Sequence, residues 1–416
     1  MNNINYLLSI IGAKSIFLLF FILSSTIILS LLFSSSISFV KSIYAQSESN
    51  TIKIRNLAID LGNGIKTNAQ LTFPSIGNGP YPGVLLVNLG GPQDMNDTAE
   101  IIANGKPKTI KQFWQIAQYL SEKGFAVLRF DKRGAEGNGT INNNIWSNAT
   151  FNDLKKDAQK ALSVLMQQPE VDIHKISIIG HSEGTQIAPR ITIDNPDKIK
   201  NIILMSASAQ NESQSTYNNI LRILQYAKEV IDKNKDGLIS IKESAKSPMK
   251  QMLFINDSNG SLTFDPQFKP IQIKNNNSGN SNNSGSYVSV DNGIKPFLMN
   301  IIRPPTKSEL SSPCDNLQDC PIMKNSSLAL LPLLSIIDKV PSNTSILMLE
   351  GENDSPEQVL MLNQRLNDMH HPDHSFIIYK GLGHLFYPSP KLFPQMGPIP
   401  EYVLHDIFLW LSDHSK

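Results

Sequence analysis

The sequence predicts an α/β fold with a mostly parallel sheet flanked by helices, and three observations carry that prediction. Residues 80–208 alternate short, β-branched apolar runs with helical patterns. One of these runs, Lys175–Ile179, leads into Gly180-His181-Ser182-Glu183-Gly184, and a helical pattern follows at once. After a long stretch of different periodicity, strand patterns return at Ser345–Gly351 and Phe376–Tyr379. Such alternation argues for parallel strands covered by helices.

The elements follow in order. Thr51 to Phe73 reads as a leading hairpin. Gly83–Val87 is an apolar strand that runs into Asn88-Leu89-Gly90-Gly91-Pro92. Helical patterns cover Thr109–Lys123, Asn152–Gln168 and Thr185–Ile193, the last with Pro189 inside it. The strands Ala126–Phe130, Lys175–Ile179 and Asn201–Met205 separate and follow them. Downstream, a helix over Glu357–Met369 stands between the strands Ser345–Gly351 and Ser375–Tyr379, and a further helix covers Glu401–Ser412.

A strand, a sharp turn with a serine at its tip and a helix make a nucleophile elbow. Glycines on either side of the serine let the helix pack close to the strand, and the helix N-terminus favours developing negative charge. Ser182 is therefore the candidate nucleophile. Asp354 follows the strand Ser345–Gly351 with room for a turn, and His384 lies in the loop after Tyr379. Glu352 and Asp373 are the nearby alternatives for the acid. The histidines His370, His371 and His374 read as solvated surface rather than as a metal site. Backbone N–H groups of Glu183 and Gly90 are the candidate oxyanion donors, with Leu89 as the second choice for the latter.

These pieces resemble the α/β-hydrolase superfamily. They are most similar to the esterase and acyl-peptidase-like enzymes that carry an H-G-S-G-P-x-D-R-D loop. Asn88-Leu89-Gly90-Gly91-Pro92-Gln93-Asp94 stands at that loop, Ala126–Gly134 resembles a V-L-R-Y-D-K-R-G segment, and Gly381-Leu382-Gly383-His384-Leu385-Phe386 resembles the histidine loop. The resemblance covers residues 65–208 and 340–415. It implies a serine hydrolase in which Ser182, Asp354 and His384 act together. Asn88-Leu89 replaces the usual His-Gly, a departure that predicts a weaker oxyanion hole. No propeller-like domain stands ahead of the core, which favours a carboxylesterase over an acyl-peptidase.

A second motif belongs to different chemistry. Residues 232–243, DKNKDGLISIKE, match the twelve-residue EF-hand loop. The ligand positions are Asp232, Asn234, Asp236, Leu238 through its carbonyl, Ser240 and Glu243, an all-oxygen set suited to Ca²⁺. The amphipathic run Ile220–Ile231 enters the loop, so a helix-loop-helix is expected over residues 220–250. No second loop of this kind occurs, and a lone hand favours a structural role. No organic cofactor is implied.

Residues 1–45 stand apart as a signal peptide or membrane anchor. Ile16 to Val40 is apolar enough for either, and the reading is of an exported chain. Residues 51–208 and 339–416 form the two parts of the core. Residues 209–338 form a cap insertion, with a flexible Asn/Ser-rich loop at 275–286. A formal net charge of +1, from 37 basic and 36 acidic residues, gives no basic stripe for nucleic acid. Cys314 and Cys320 are expected to pair in an exported chain. The sequence thus predicts an exported ester hydrolase with a Ca²⁺-bearing cap, acting on a small ester or short acyl-peptide. A catalytically silent binding protein on the same fold is the alternative.

Overall fold

Eight strands make the central sheet of the computed structural model, which describes residues 51–103, 106–137, 139–244, 247, 253–256, 262–274, 284–311, 314, 320–389 and 397–416. β1 (Ile52–Gly62) and β2 (Ile65–Pro74) are neighbours. Asn63 and Gly64 join them with φ of 54° and 77°, the left-handed pair that a tight hairpin turn requires. β3 (Tyr81–Val87) then enters the centre of the sheet.

A hairpin outside the main sheet comes next, formed by β4 (Thr98–Ala103) and β5 (Lys106–Lys111). It corrects the expected helix start at Thr109. Antiparallel pairing with β4 takes the backbone through Lys111, and α1 covers Gln112–Glu122. β6 (Ala126–Phe130) follows, then α2 (Phe151–Met166). A capping box starts α2: the Asp153 N–H donates to Thr150 Oγ1 while the Asp153 carboxylate accepts from the Thr150 N–H.

β7 (Val171–His181) is longer than the predicted strand, and α3 (Gly184–Asp194) continues past Pro189. β8 (Ile199–Met205) completes the first part of the sheet. The sheet resumes with β14 (Ser345–Gly351), α6 (Pro356–Asp368) and β15 (His374–Tyr379), after the elements β9–β13 and α4–α5 described below; α7 covers Glu401–His414.

The strand order is β1-β2-β6-β3-β7-β8-β14-β15. β2 runs antiparallel to β6, and each neighbouring pair from β6 to β15 is parallel. Apolar side chains are buried on both faces of the sheet, as the continuous strand runs require. Leu85, Leu128, Ile178 and Ile202 pack on one face, and Leu86, Val127, Ile179 and Ile203 on the other.

Between β8 and β14 the chain builds a smaller body. α4 (Glu212–Tyr226) continues through a π-helical turn at Ala227–Ile231, followed by β9 (Leu238–Ser240) and a four-residue helix Ile241–Ser244. β10 (Phe254–Asn256) pairs with β11 (Leu262–Phe264), and β12 (Ile271–Lys274) with β13 (Ser284–Ser289). A helical segment Lys295–Ile301 and α5 (Pro321–Leu328) follow. This body has its own core, in which Ile220, Leu224, Ile239, Phe254, Phe264, Phe268 and Val288 are buried together. A disulfide joins Cys314 to Cys320.

Two expectations are corrected here. Residues 284–286, read as part of a flexible loop, belong to β13, because Ser284, Gly285 and Ser286 pair with Lys274, Ile273 and Gln272 of β12. Residues 275–283 lie outside the described residues, as does the predicted signal or anchor segment. Among the described residues no helix is long and apolar enough to cross a membrane. The exit helix of the expected hand is described only to Ser244.

Candidate active site

Ser182 stands on the turn between β7 and α3 with φ of +52°, a conformation that costs energy for a residue with a Cβ. The surroundings hold it there. The Ser182 N–H donates to the Met205 carbonyl at 2.9 Å, and the Ser182 carbonyl accepts from Thr185 N–H at 2.9 Å and Thr185 Oγ1 at 2.6 Å. A Cβ added at Gly180 would lie 2.3 Å from the Gly184 carbonyl oxygen, and one at Gly184 would lie 2.1 Å from the Val87 carbonyl oxygen. Neither position accepts a side chain. Numbered within the sheet alone, the strands run 1-2-4-3-5-6-7-8, and the strained serine follows the fifth. The chain carries the α/β-hydrolase fold.

On this fold, the loops after β14 and β15 bring Asp354 and His384 to Ser182. His384 Nε2 lies 3.0 Å from Ser182 Oγ, and His384 Nδ1 lies 2.7 Å from Asp354 Oδ2. The two loops brace each other: the Asn353 N–H donates to the Leu382 carbonyl, and the Glu352 N–H donates to the Tyr379 carbonyl, both at 2.9 Å. Gly351 is forced by the same approach, because a Cβ there would lie 2.5 Å from the Leu382 carbonyl oxygen. From below, Ser206 Oγ donates to the His384 carbonyl at 2.9 Å, and His181 Nε2 lies 3.0 Å from that oxygen.

The alternative acids do other work. Glu352 accepts the Gly381 N–H at 3.0 Å, and Asp373 bonds Ser345 at the start of β14. Of the three histidines read as solvated surface, His370 is exposed, whereas His371 is buried. Its N–H closes the end of α6 on the Leu366 carbonyl, which draws the residue inward.

Electrostatics favour a charged pair at this site. Packing in the cleft works against a charged His384 ring, but the Asp354 carboxylate outweighs it and the histidine pKa lies above its ordinary value. Burial likewise opposes charge on Asp354. The His384 ring, a hydrogen bond from Glu350 and the Arg222 guanidinium overcome it and hold the carboxyl well below the usual range. Glu350, fully buried at the end of β14, is pushed well above the usual range by burial and then by the Asp354 charge.

Gly90 and Glu183 line a cavity of about 370 Å³ that opens on Ser182 and His384 and also touches Trp146, Glu212 and Met323. Neither backbone N–H donates to a protein acceptor among the described residues. The loop that presents Gly90 is built from side chains that sequence reasoning did not pair. Asn88 is buried, and its Nδ2 donates to the Asp94 carbonyl at 2.8 Å and to Asp97 Oδ1 at 2.9 Å. Gln93 Nε2 donates to the Gly90 carbonyl at 3.0 Å. Lys132 Nζ donates to the Leu89 carbonyl and, at 2.9 Å, to Glu183 Oε1. Asn88-Leu89 therefore sits in a loop with its own tethers.

Comparisons with known proteins find partial similarities. A model of the serine aminopeptidase S33 family matches residues 96–258. Esterase EstD of Thermotoga maritima is 32% identical over 124 residues, 29% of this chain and 26% of that protein. The match thus spans about a quarter of the length of that curated relative. Among solved structures, a proline iminopeptidase from Mycobacterium smegmatis is 13% identical with a TM-score of 0.48, covering 87% of this chain and 99% of its own. Est1E from Butyrivibrio proteoclasticus is 13% identical with a TM-score of 0.43, covering 86% and 98%.

The loop 232–243 lies beyond α4. Gly237, with φ of +80°, makes the sharp turn. The buried Asp232 carboxylate accepts N–H groups of Asp236 and Gly237 at 3.2 and 2.8 Å, and Asp236 accepts that of Leu238 at 2.8 Å. Glu243 spans the loop, accepting Lys233 N–H at 3.2 Å, Ser240 N–H at 3.0 Å and Ser240 Oγ at 2.7 Å. The donor types are the hard oxygens that Ca²⁺ prefers. Their carboxylates are engaged with backbone donors, and among the described residues no three acidic, histidine or cysteine side chains converge as a metal site. β9 is paired within the insertion: Ile239 lies opposite Val288 of β13, and the Val290 N–H reaches the Gly237 carbonyl at 3.0 Å.

Proposed function

We propose that this chain is an exported serine hydrolase that cleaves an ester bond, or a thioester or peptide bond, through an acyl-enzyme. The observation that supports this best is the continuous line Ser182 Oγ, His384 Nε2 and Nδ1, Asp354 Oδ2, with separations of 3.0 and 2.7 Å. In this reading His384 takes the Ser182 proton as Oγ attacks the carbonyl carbon. Asp354 holds the ring in the correct tautomer and stabilises its positive form. The Glu183 and Gly90 N–H groups receive the developing oxyanion. The leaving alcohol, thiol or amine departs with the proton from His384. A water molecule, deprotonated by the same ring, then releases the acid and restores Ser182.

The exported location is supported by the Cys314–Cys320 disulfide, since such bonds persist in oxidising compartments. Ca²⁺ binding at Asp232, Asn234, Asp236, the Leu238 carbonyl, Ser240 and Glu243 is part of the same proposal. The ion would add positive charge and staple the entry and exit of the loop, which supports a structural role. Cleft residues from α4 and α5, including Glu212 and Met323, shape the acyl and leaving-group sites.

The test is labelling of the purified protein with a fluorophosphonate probe beside Ser182→Ala. Labelling that disappears in the variant supports the reading. Absence of labelling in the intact protein overturns it in favour of a silent binding protein.

A further inference from the structure

Arg222 lies on α4, in the insertion, yet its guanidinium straddles the proposed catalytic acid. Its NH1 donates to Ser355 Oγ at 2.6 Å and its NH2 to the Asn353 carbonyl at 2.9 Å. Those are the residues immediately before and after Asp354, and NH1 itself stands 3.7 Å from Asp354 Oδ1. Arginine supplies this fork of donors in one rigid plane, so the contact fixes direction as well as distance. The guanidinium does not line the substrate cavity, whereas Glu212, Ser215 and Asn219, earlier on the same helix, do.

We propose that Arg222 is a positioning residue, through which the seated cap helix holds Asp354 in line with His384. The inference rests on the reading of Ser182, His384 and Asp354 as a triad. One rigid helix then carries part of the cleft wall at its start and the acid's clamp further along. A misplacement of about 1 Å in such a constellation costs on the order of a hundredfold in rate.

The charged and titratable groups around His384 give this role a signature. Asp354 faces it from the acid loop, buried Glu350 backs Asp354 from the end of β14, and His181 stands with its ring 5.4 Å away on the elbow. Arg222 is the cation in this set, and its charge works against protonation of His384. Loss of that cation makes the imidazolium easier to form.

The experiment compares the intact protein with Arg222→Gln, Arg222→Lys and Ser355→Ala. Ester turnover and fluorophosphonate labelling rate are followed from about pH 5 to 9. In R222Q, kcat is expected to fall about tenfold to a hundredfold with KM little changed, and the acid limb is expected to move to higher pH. R222K keeps the charge, so it is expected to restore the limb and part of kcat. S355A removes one acceptor only and is expected to lower kcat without moving the limb.

An R222Q protein with unchanged kcat and limb overturns the proposal. So does an R222Q protein that is slower but shows neither a limb shift nor lysine rescue, since that is a merely structural effect. Should R222Q fail to fold, unchanged kcat in S355A overturns it. Failure of the intact protein to label refutes the triad reading itself, which separates the two failures.

Discussion

Lys132 offers a direct measure of how the oxyanion loop is held. Its side chain is 4% exposed, while that of its partner Glu183 is 18% exposed. At 2.9 Å and an effective dielectric of about 20, the gross attraction is on the order of 5–6 kcal/mol. Removing one partner of a fully buried pair costs about 3–5 kcal/mol. Partial solvation of Glu183 brings the expected loss for Lys132→Met to about 2–4 kcal/mol. The same change frees the Leu89 carbonyl, which precedes the Gly90 N–H in the chain. Loss of one oxyanion donor costs about 10²–10³ in turnover. Lys132 acts on that donor indirectly, so K132M is expected to lower kcat about tenfold to a hundredfold. Urea unfolding and turnover of a short-chain nitrophenyl ester measure the two effects. The double variant K132M with Glu183→Gln removes the orphaned carboxylate, so it is expected to recover stability but not kcat. K132M turnover within about twofold of the intact protein would refute the tether.

Further expectations follow from contacts already described. Asp354→Asn leaves the shape of the acid loop but gives His384 the wrong tautomer, so kcat is expected to fall by about 10⁴, measured as ester turnover. The His384 pKa is raised, and the ring must be neutral to accept the Ser182 proton. Activity is therefore expected to rise with pH through an apparent value above the ordinary histidine value of about 6.5, read from kcat/KM profiles. Gly184→Ala places a Cβ 2.1 Å from a backbone carbonyl and is expected to lower the melting temperature by several degrees, read by calorimetry. Chelation of Ca²⁺, and Glu243→Gln, are each expected to lower the melting temperature, and the chelator effect is expected to vanish in E243Q.

The parts legible in the sequence were those written in adjacent residues. Lys175–Ile179 announces a buried strand, and the glycines flanking Ser182 announce the elbow, because each reflects a local steric need. The order Ser182, Asp354, His384 follows from strands that alternate with helices. What was not legible depends on residues far apart in the chain. Lys132 and Glu183 lie 51 residues apart and Arg222 and Ser355 lie 133 apart, and nothing in either neighbourhood announces the other. β5 has the polar, proline-containing sequence Lys106–Lys111, and pairing with β4 overrides its weak local preference. β13 begins inside an Asn/Ser/Gly tract, so composition argued against a strand that pairing with β12 creates.

The insertion leaves the sheet after Met205 and returns at Ser345, on the neighbouring strand. Leu349 lies opposite Met205 in the parallel register, and the Ser206 N–H donates to the Leu349 carbonyl at 2.9 Å. Because the two strands run parallel, exit and return lie at opposite ends of the pair, Met205 opposite Leu349 and Ser345 opposite Asn201. The register fixes the span between the two roots, and an excursion that keeps that span can grow, shrink or be swapped while β8 and β14 stay paired. Each doubling of its length costs only about 0.6 kcal/mol in closure entropy. Inheritance can therefore rewrite the mouth of this molecule while its machinery stays still, and a graft that respects those two roots carries a new specificity onto an old frame.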